Sequence, residues 1–379
     1  MSTLYSPELN KSAIVVARDV CKIQQGEKVL IISNPEENTA PIAHALYAAC
    51  LELGAEALIV FQKPKTLLDY ADKIVIEAMK TEPDVIWSIS ANKLGKDEEA
   101  MKNPYRTEDG KEFKSIFDYL LDGKKTSRAV WTPGITLDMF MRTVCIDYKQ
   151  LSERCKKLQA ILSDAEYVHV TAPGGTDIKI PVKGRKAFAD DGDFSKPGSG
   201  GNIPAGEVYI SPLVGLSEGT IVYDGSMSVN SGDIVIHDPI ICTVEKGYVT
   251  DIKAKSGKPL SFESVEAGIL FNTIDAAEKQ ALQMEKDGRL PEGMGEVYKR
   301  NARNIGELGI GLNPAAEITG NMLEDEKAFR TCHFAIGMNY DGDADSLIHL
   351  DGVVTNPTIE VFYADKPSVL IEKNGILQE

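Results

Sequence analysis

The sequence predicts an α/β domain built on a parallel sheet over residues 1–165, followed by an α+β, largely antiparallel domain over residues 166–379. Three observations carry this. In the first part, short apolar runs alternate with amphipathic stretches of helix length, which is the pattern of βαβ units. After Ala165 the strands shorten and follow one another through Gly-, Asp- and Pro-rich turns. A helical stretch at roughly 262–303 interrupts them before strands return near the end.

Taken in order, GEKVLIISN from Gly26 reads as a buried strand after a turn. Asn38 and Thr39 offer caps for a helix through TAPIAHALYAACLELGA. ALIVF at 57–61 is the second strand, ADKIVIEAMKTEP an amphipathic helix, DVIWSIS the third strand and SRAVWTP the fourth. LDMFMRTVCID and the charged helix YKQLSERCKKLQAILSDA complete the first domain. Such layering is Rossmann-like. No G-x-G-x-x-G follows the first strand, however, and no phosphate loop is present, so nucleotide binding has no support from the residues.

In the second domain, EYVHVTAPGGTDIKIPVKG reads as a hairpin turning at Gly174-Gly175. The loop DDGDFSKPGSGGNIPAGE follows, then the strands GTIVYDGS, DIVIHDPIICTVE and YVTDIKAKSG. Beyond the helical insert, strands are expected at 344–355 and 357–363.

Bulk properties narrow the function. Of 379 residues, 43% are hydrophobic and 26% charged, an ordinary globular balance. The formal net charge of -16 disfavours nucleic acid and anionic lipid as partners. No apolar run approaches the ~20 residues that span a bilayer. The N-terminal stretch lacks a basic segment followed by a long apolar one, so it does not read as a signal peptide. Six scattered cysteines without a C-x-x-C pair read as reduced core thiols, and a cytoplasmic location is the expectation.

Chemistry concentrates late in the chain. In SLIHLDGVV, His349 and Asp351 stand two apart and project from one face of a strand. An imidazole beside a carboxylate is either a metal platform or a simple ion pair. His333, in TCHFAIG, sits among small and apolar residues and reads as a core histidine or a ligand. Glu307, in IGELGIGLNP, and Glu207, in GGNIPAGEVYISP, lie among Gly, Ile, Val and Leu. Each is an exposed charge in a turn, or a buried carboxylate that needs a partner or a metal. Together the five could hold two adjacent metal ions, ~3.5–4 Å apart.

NIPAGEVYISP, IGELGIGLNP, HFAIGMNY and IHLDGVV, in this order, resemble the signature segments of the aminopeptidase T family of metallopeptidases. The resemblance runs over most of residues 165–355. It implies a dinuclear centre of Zn, Co or Mn with Glu207, Glu307, Glu326, His333, His349 and Asp351 as ligands. It places a catalytic tyrosine at Tyr340, seven residues after His333. A peptide substrate, a homodimer and a metal-bridged water follow from the same likeness, with Glu207 or Glu326 as general base and Tyr340 as oxyanion donor. One departure from the family is the short YDGDADSLI segment before the H-x-D strand, a shortening that could reshape the substrate pocket.

Two other functions compete. His333, His349 and Asp351 could hold a single Fe(II) for a ring-cleaving dioxygenase, although such a site has no need of both Glu207 and Glu307. Alternatively, metal could merely staple a non-catalytic binding protein.

Overall fold

A computed structural model describes residues 6–66, 68–261 and 265–378. Residues 1–5 of the N-terminal stretch and 262–264 of the expected helical insert lie outside them. The first helix, α1 (Pro7–Val15), starts where the Ser6 side chain accepts a hydrogen bond from the Leu9 amide. There follow β1 (Lys28–Ser33), α2 (Thr39–Glu52), β2 (Glu56–Phe61), α3 (Lys73–Met79), β3 (Val85–Ser90) and α4 (Glu98–Lys102). A small hairpin of β4 (Tyr105–Arg106) and β5 (Glu112–Phe113) leads to α5 (Ile116–Asp118), β6 (Arg128–Pro133), α6 (Leu137–Thr143) and α7 (Tyr148–Ser163). Asn38 precedes α2, but its side chain does not cap that helix; its Oδ1 accepts from the Leu137 amide, at the start of α6.

Strands then dominate: β7 (Tyr167–Thr171), β8 (Asp177–Pro181), β9 (Phe188–Asp190), β10 (Gly200–Asn202), β11 (Glu207–Ile210), β12 (Glu218–Tyr223), β13 (Ser226–Val229), β14 (Gly232–Val235), β15 (Ile240–Glu245) and β16 (Tyr248–Ala254). The helices α8 (Glu266–Lys286) and α9 (Met294–Asn301) precede β17 (Ile305–Gly311) and α10 (Met322–Asp325). The chain closes with β18 (Thr331–Gly337), β19 (His349–Thr355), β20 (Thr358–Phe362), β21 (Val369–Lys373) and β22 (Ile376–Leu377).

The chain forms two compact units. One runs to Ser152 and regains Asp190–Ala205 and Asn313–Ala316; the other holds Glu153–Ala189, Gly206–Leu312 and Glu317–Glu379. The first unit carries a five-stranded sheet in the order β10-β6-β3-β1-β2, every pair parallel. Its central strands β1 and β3 are buried on both faces and largely apolar, as strands covered on both sides require. The edge strand β10 lies in the Gly- and Asp-rich segment expected as loop.

The second unit contains two sheets. One has the order β16-β15-β12-β8-β7-β20-β21-β22 and is antiparallel throughout. The other has the order β14-β13-β19-β18-β17-β11-β9 and carries the candidate site on its central strands. There β11, β17, β18 and β19 pair antiparallel, with Glu307 opposite Ala335 and Ala335 opposite Asp351. One face of these strands is apolar: Val208, Ile210, Leu308, Ile310, Phe334, Ile336 and Val354 are buried. Tyr223 of β12 packs against it, its hydroxyl donating to the Phe334 carbonyl at 3.4 Å. Phe334 is fully buried, so its truncation to alanine costs about 3–5 kcal/mol. Residues 344–348, expected as strand, are irregular with bends instead, and β19 begins at His349. Among the described residues no helix is long and apolar enough to cross a membrane.

Candidate metal centre

The opposite face of the same four strands carries the polar residues. Side chains alternate across a strand, so Glu207, Glu307, His333, His349 and Asp351 all project to one side. Between them the face is laid with Gly309, Gly311, Ala335 and Gly337. These small residues make the space. A Cβ on Gly309 would lie 2.0 Å from His333 Nε2, and one on Gly311 would lie 2.1 Å from the Ala328 carbonyl oxygen.

The distances define two clusters that meet at Glu307. Its Oε1 is 3.0 Å from His333 Nε2, and its Oε2 is 3.6 Å from His349 Nε2. Glu207 Oε2 lies 3.6 Å from His333 Nε2, and Asp351 Oδ1 lies 3.3 Å from His349 Nε2. The carbonyl of Met338, 2.9 Å from His349 Nδ1, orients that ring with Nε2 toward the carboxylates. Glu207, Glu307 and His333 can place one donor atom each within 4.8 Å of one another, and so can Glu307, His349 and Asp351. Among the described residues, His333, His349 and Asp351 form no such group of their own.

Burial makes the cluster costly without a cation. Glu207, Glu307 and His333 are buried. Glu207 Oε2, Glu307 Oε2 and Asp351 Oδ1 are acceptor atoms with no hydrogen-bond donor. Orphaned buried oxygens converging beside two imidazoles are what a divalent metal would satisfy, and the nitrogen and carboxylate donors suit Zn, Co, Mn or Fe. Burial pushes the carboxyls of Glu207, Glu307 and Glu326 above their ordinary range. Burial would also raise Asp351, but the charge of His349 beside it pulls it down to about 2. Desolvation opposes the charging of both histidines. Even so, the Glu307 hydrogen bond and Glu207 lift His333 to about 9, and Asp351 and Glu307 lift His349 to about 10.

The remaining expected residues stand at the margin. Glu326 follows α10 and belongs to neither donor group; its Oε1 accepts from Lys327 Nζ at 2.5 Å. Tyr340 is 52% exposed, with its ring 5.0 Å from that of His349 and 5.6 Å from that of Tyr209. Burial of its hydroxyl end, beside Glu307, Asp351 and Glu326, keeps the phenol protonated and so a donor. Two participants escaped the sequence reading. Lys327, which also bonds Glu207 Oε1 at 2.8 Å, is wholly buried, although a lysine among acidic residues gives no sign of it in the sequence. Gly309 had only its place in a Gly-rich strand to announce it.

Residues 137–260 match the protein family described as NicX: 2,5-dihydroxypyridine 5,6-dioxygenase. No curated protein sequence matches the chain. Among solved structures, the 2,5-dihydroxypyridine dioxygenase from Pseudomonas putida KT2440 is similar with a TM-score of 0.68 at 16% identity, over 97% of this chain and 96% of that one. Wild-type AmpT from Thermus thermophilus is similar with a TM-score of 0.62 at 15% identity, over 98% of this chain and 99% of that one. At such identities the likeness shows a shared fold. That fold is the α/β, two-part architecture expected from the sequence.

Proposed function

We propose that this chain is a metal-dependent aminopeptidase whose two divalent ions share Glu307. One observation carries the reading: the two oxygens of Glu307 face two different histidines, each in its own donor group. Glu207, Glu307 and His333 would hold one ion, and Glu307, His349 and Asp351 the other. Charge agrees with this count. Four carboxylates (Glu207, Glu307, Glu326, Asp351) against Lys327 leave 4 − 1 = 3 negative charges, more than one divalent ion neutralises and within one charge of two.

Bound there, the ions supply a water acidified toward neutral pH and polarise a carbonyl. The chain's own residues do the rest. Glu326 lies outside both donor groups, and burial has raised its carboxyl. It would take the proton of the attacking water as general base and return it to the leaving amine. The Tyr340 hydroxyl donates to the developing oxyanion. The free amine of a peptide's first residue would bind at the metal centre or at a nearby carboxylate, which would restrict cleavage to the N-terminus. AmpT, an aminopeptidase T, shares the fold and supports this choice.

A second reading, a mononuclear iron dioxygenase, draws equally on the solved 2,5-dihydroxypyridine dioxygenase that shares the fold, on the family match over residues 137–260 and on the Lys327 grip on Glu207. We favour the first because, among the described residues, His333, His349 and Asp351 do not form a group with all donor atoms within 4.8 Å of one another. The test is hydrolysis of aminoacyl anilides and short peptides by zinc-, cobalt- or manganese-loaded protein, with N-acetylated substrates as controls. Cleavage of free N-termini alone supports the peptidase. Inert peptides, together with oxygen uptake on 2,5-dihydroxypyridine after iron loading, would overturn it.

A further inference from the structure

In the first unit, a cavity of about 480 Å³ opens at the carboxyl ends of β3 and β6, the end at which open parallel sheets bind ligands. Ile86, Ser88 and Ser90 share one face of β3, and Ser88 stands in register with Trp131 of β6. The apolar core on this face includes Ile86, Ala129 and Phe117. Past Ile86 the row turns to serine, and the cavity begins. Both serines are only 3% exposed, with their hydroxyl oxygens 2.9 Å apart. Two hydroxyls that share one hydrogen bond leave one O–H proton without an acceptor among the described residues. Phe117 and Trp131 meet edge to face at 5.9 Å and form a rigid aromatic wall. The loop after β3 is tied down: the Lys93 amide bonds the Lys65 carbonyl and the Lys96 amide the Asp69 carbonyl, both at 2.9 Å. A Cβ on Gly95 would lie 2.6 Å from the Ala71 nitrogen, so only glycine lets the loop pack so closely. Charges line the more open parts of the cavity. Lys93 and Lys96 come from that loop, and Asp118 and Asp122 from α5 and the helical turn after it. Among the described residues, no ion pair within 4.0 Å engages any of these four.

We propose that this cavity binds a zwitterion of amino-acid size with an aromatic or large aliphatic side chain. The spare serine hydroxyl and the two lysines receive its carboxylate, and Asp118 and Asp122 receive its ammonium. Phe117 and Trp131 pack against its side chain. Charge decides the class. Two cations against two anions leave the lining without net charge, which suits neither a phosphate nor a polyamine. The cavity lies within the roughly 300–1,000 Å³ usual for small-molecule sites. The buried serines sit where an apolar row would otherwise continue, a local break with the packing rule that marks functional positions. The inference is independent of the metal centre and holds whichever reaction that centre performs.

The test titrates the full-length chain with L-phenylalanine and follows tryptophan emission. Of the chain's two tryptophans, Trp87 is wholly buried on the opposite face of β3, so a change reports Trp131. A saturable change with a dissociation constant of ~1 mM or tighter is expected. 3-Phenylpropionate and 2-phenylethylamine each lack one of the two charges and should bind at least ~10-fold more weakly. Ser90→Leu, which fills the cavity, should abolish the response. Asp118→Asn changes an exposed position that the fold does not depend on, and should weaken binding ~10-fold even if Ser90→Leu misfolds by circular dichroism. No response up to ~10 mM overturns the inference. So does equal binding of the three compounds. So does L-phenylalanine binding, read by calorimetry, that folded Ser90→Leu and Asp118→Asn proteins leave unchanged, as binding at the metal centre would give.

Discussion

The imidazole of His333 occupies the space that a side chain on Gly309 would fill: a Cβ there would come within 2.0 Å of Nε2, across the β17–β18 ladder. The His333 nitrogen that faces Glu307 thus depends on an absent atom of the next strand. Gly309→Ala must push the ring aside. The expected result is loss of the ion held by Glu207, Glu307 and His333, with ~1–3 kcal/mol of destabilisation from overpacking. Unchanged metal content and an unchanged melting temperature would contradict this.

Tyr340 separates chemistry from structure. Its ring lies beside His349, and its hydroxyl stays protonated among carboxylates. Tyr340→Phe should lower kcat by ~100-fold, in the range seen when an oxyanion donor is removed. Metal content and stability should hold. Lost metal in that variant would make Tyr340 a structural residue.

Protons should accompany metal. In the metal-free cluster, His333 is pushed up to about 9 and His349 up to about 10, so both rings are charged at neutral pH. A metal takes only the neutral imidazole. Zinc uptake near neutral pH should therefore release up to about two protons from the histidines, and fewer as pH rises through about 9 and then 10. Calorimetry in buffers of different ionisation enthalpy reads this directly, and pH-independent uptake would refute it. The sign for stability follows. With folded values above the ordinary 6.5, the histidines stabilise the metal-free fold fully below 6.5, and this is lost as pH rises through about 9 and 10.

Glu372 on β21 makes a separate pH prediction away from the metal centre. Burial pushes its carboxyl from 4.5 to about 8, with Arg330 only partly opposing. Its protonated form favours the fold, so that contribution is present below 4.5 and is lost as pH rises through about 8. Glu372→Gln should be roughly 2–4 kcal/mol more stable than wild type at alkaline pH and equal to it in acid. Parallel denaturation curves of the two proteins at every pH would count against it.

Periodicity made most of the fold legible. Strands such as VLIIS and VIWSIS are mostly apolar, and the H-x-D pair shares a face because strands repeat every two residues. The strand β10 was not legible. Its Gly-Gly-Asn carries no apolar signal, and its pairing with β6 is set by residues some seventy positions away. The first compact unit closes at Ser152 within α7, and Asp190–Ala205 returns to it, whereas the change in texture along the chain lies near Ala165. In the site, Glu207 and Glu307 are buried where single-residue reasoning left an exposed turn equally open. Lys327 could not be found, because its burial and its bond to Glu207 depend on a strand 120 positions away.

Elemental analysis of chain purified without chelator decides whether Glu307 serves two metal ions. Close to two divalent ions per chain are expected, falling to one or none in Glu307→Ala. A single iron per chain, retained in Glu307→Ala, would contradict it.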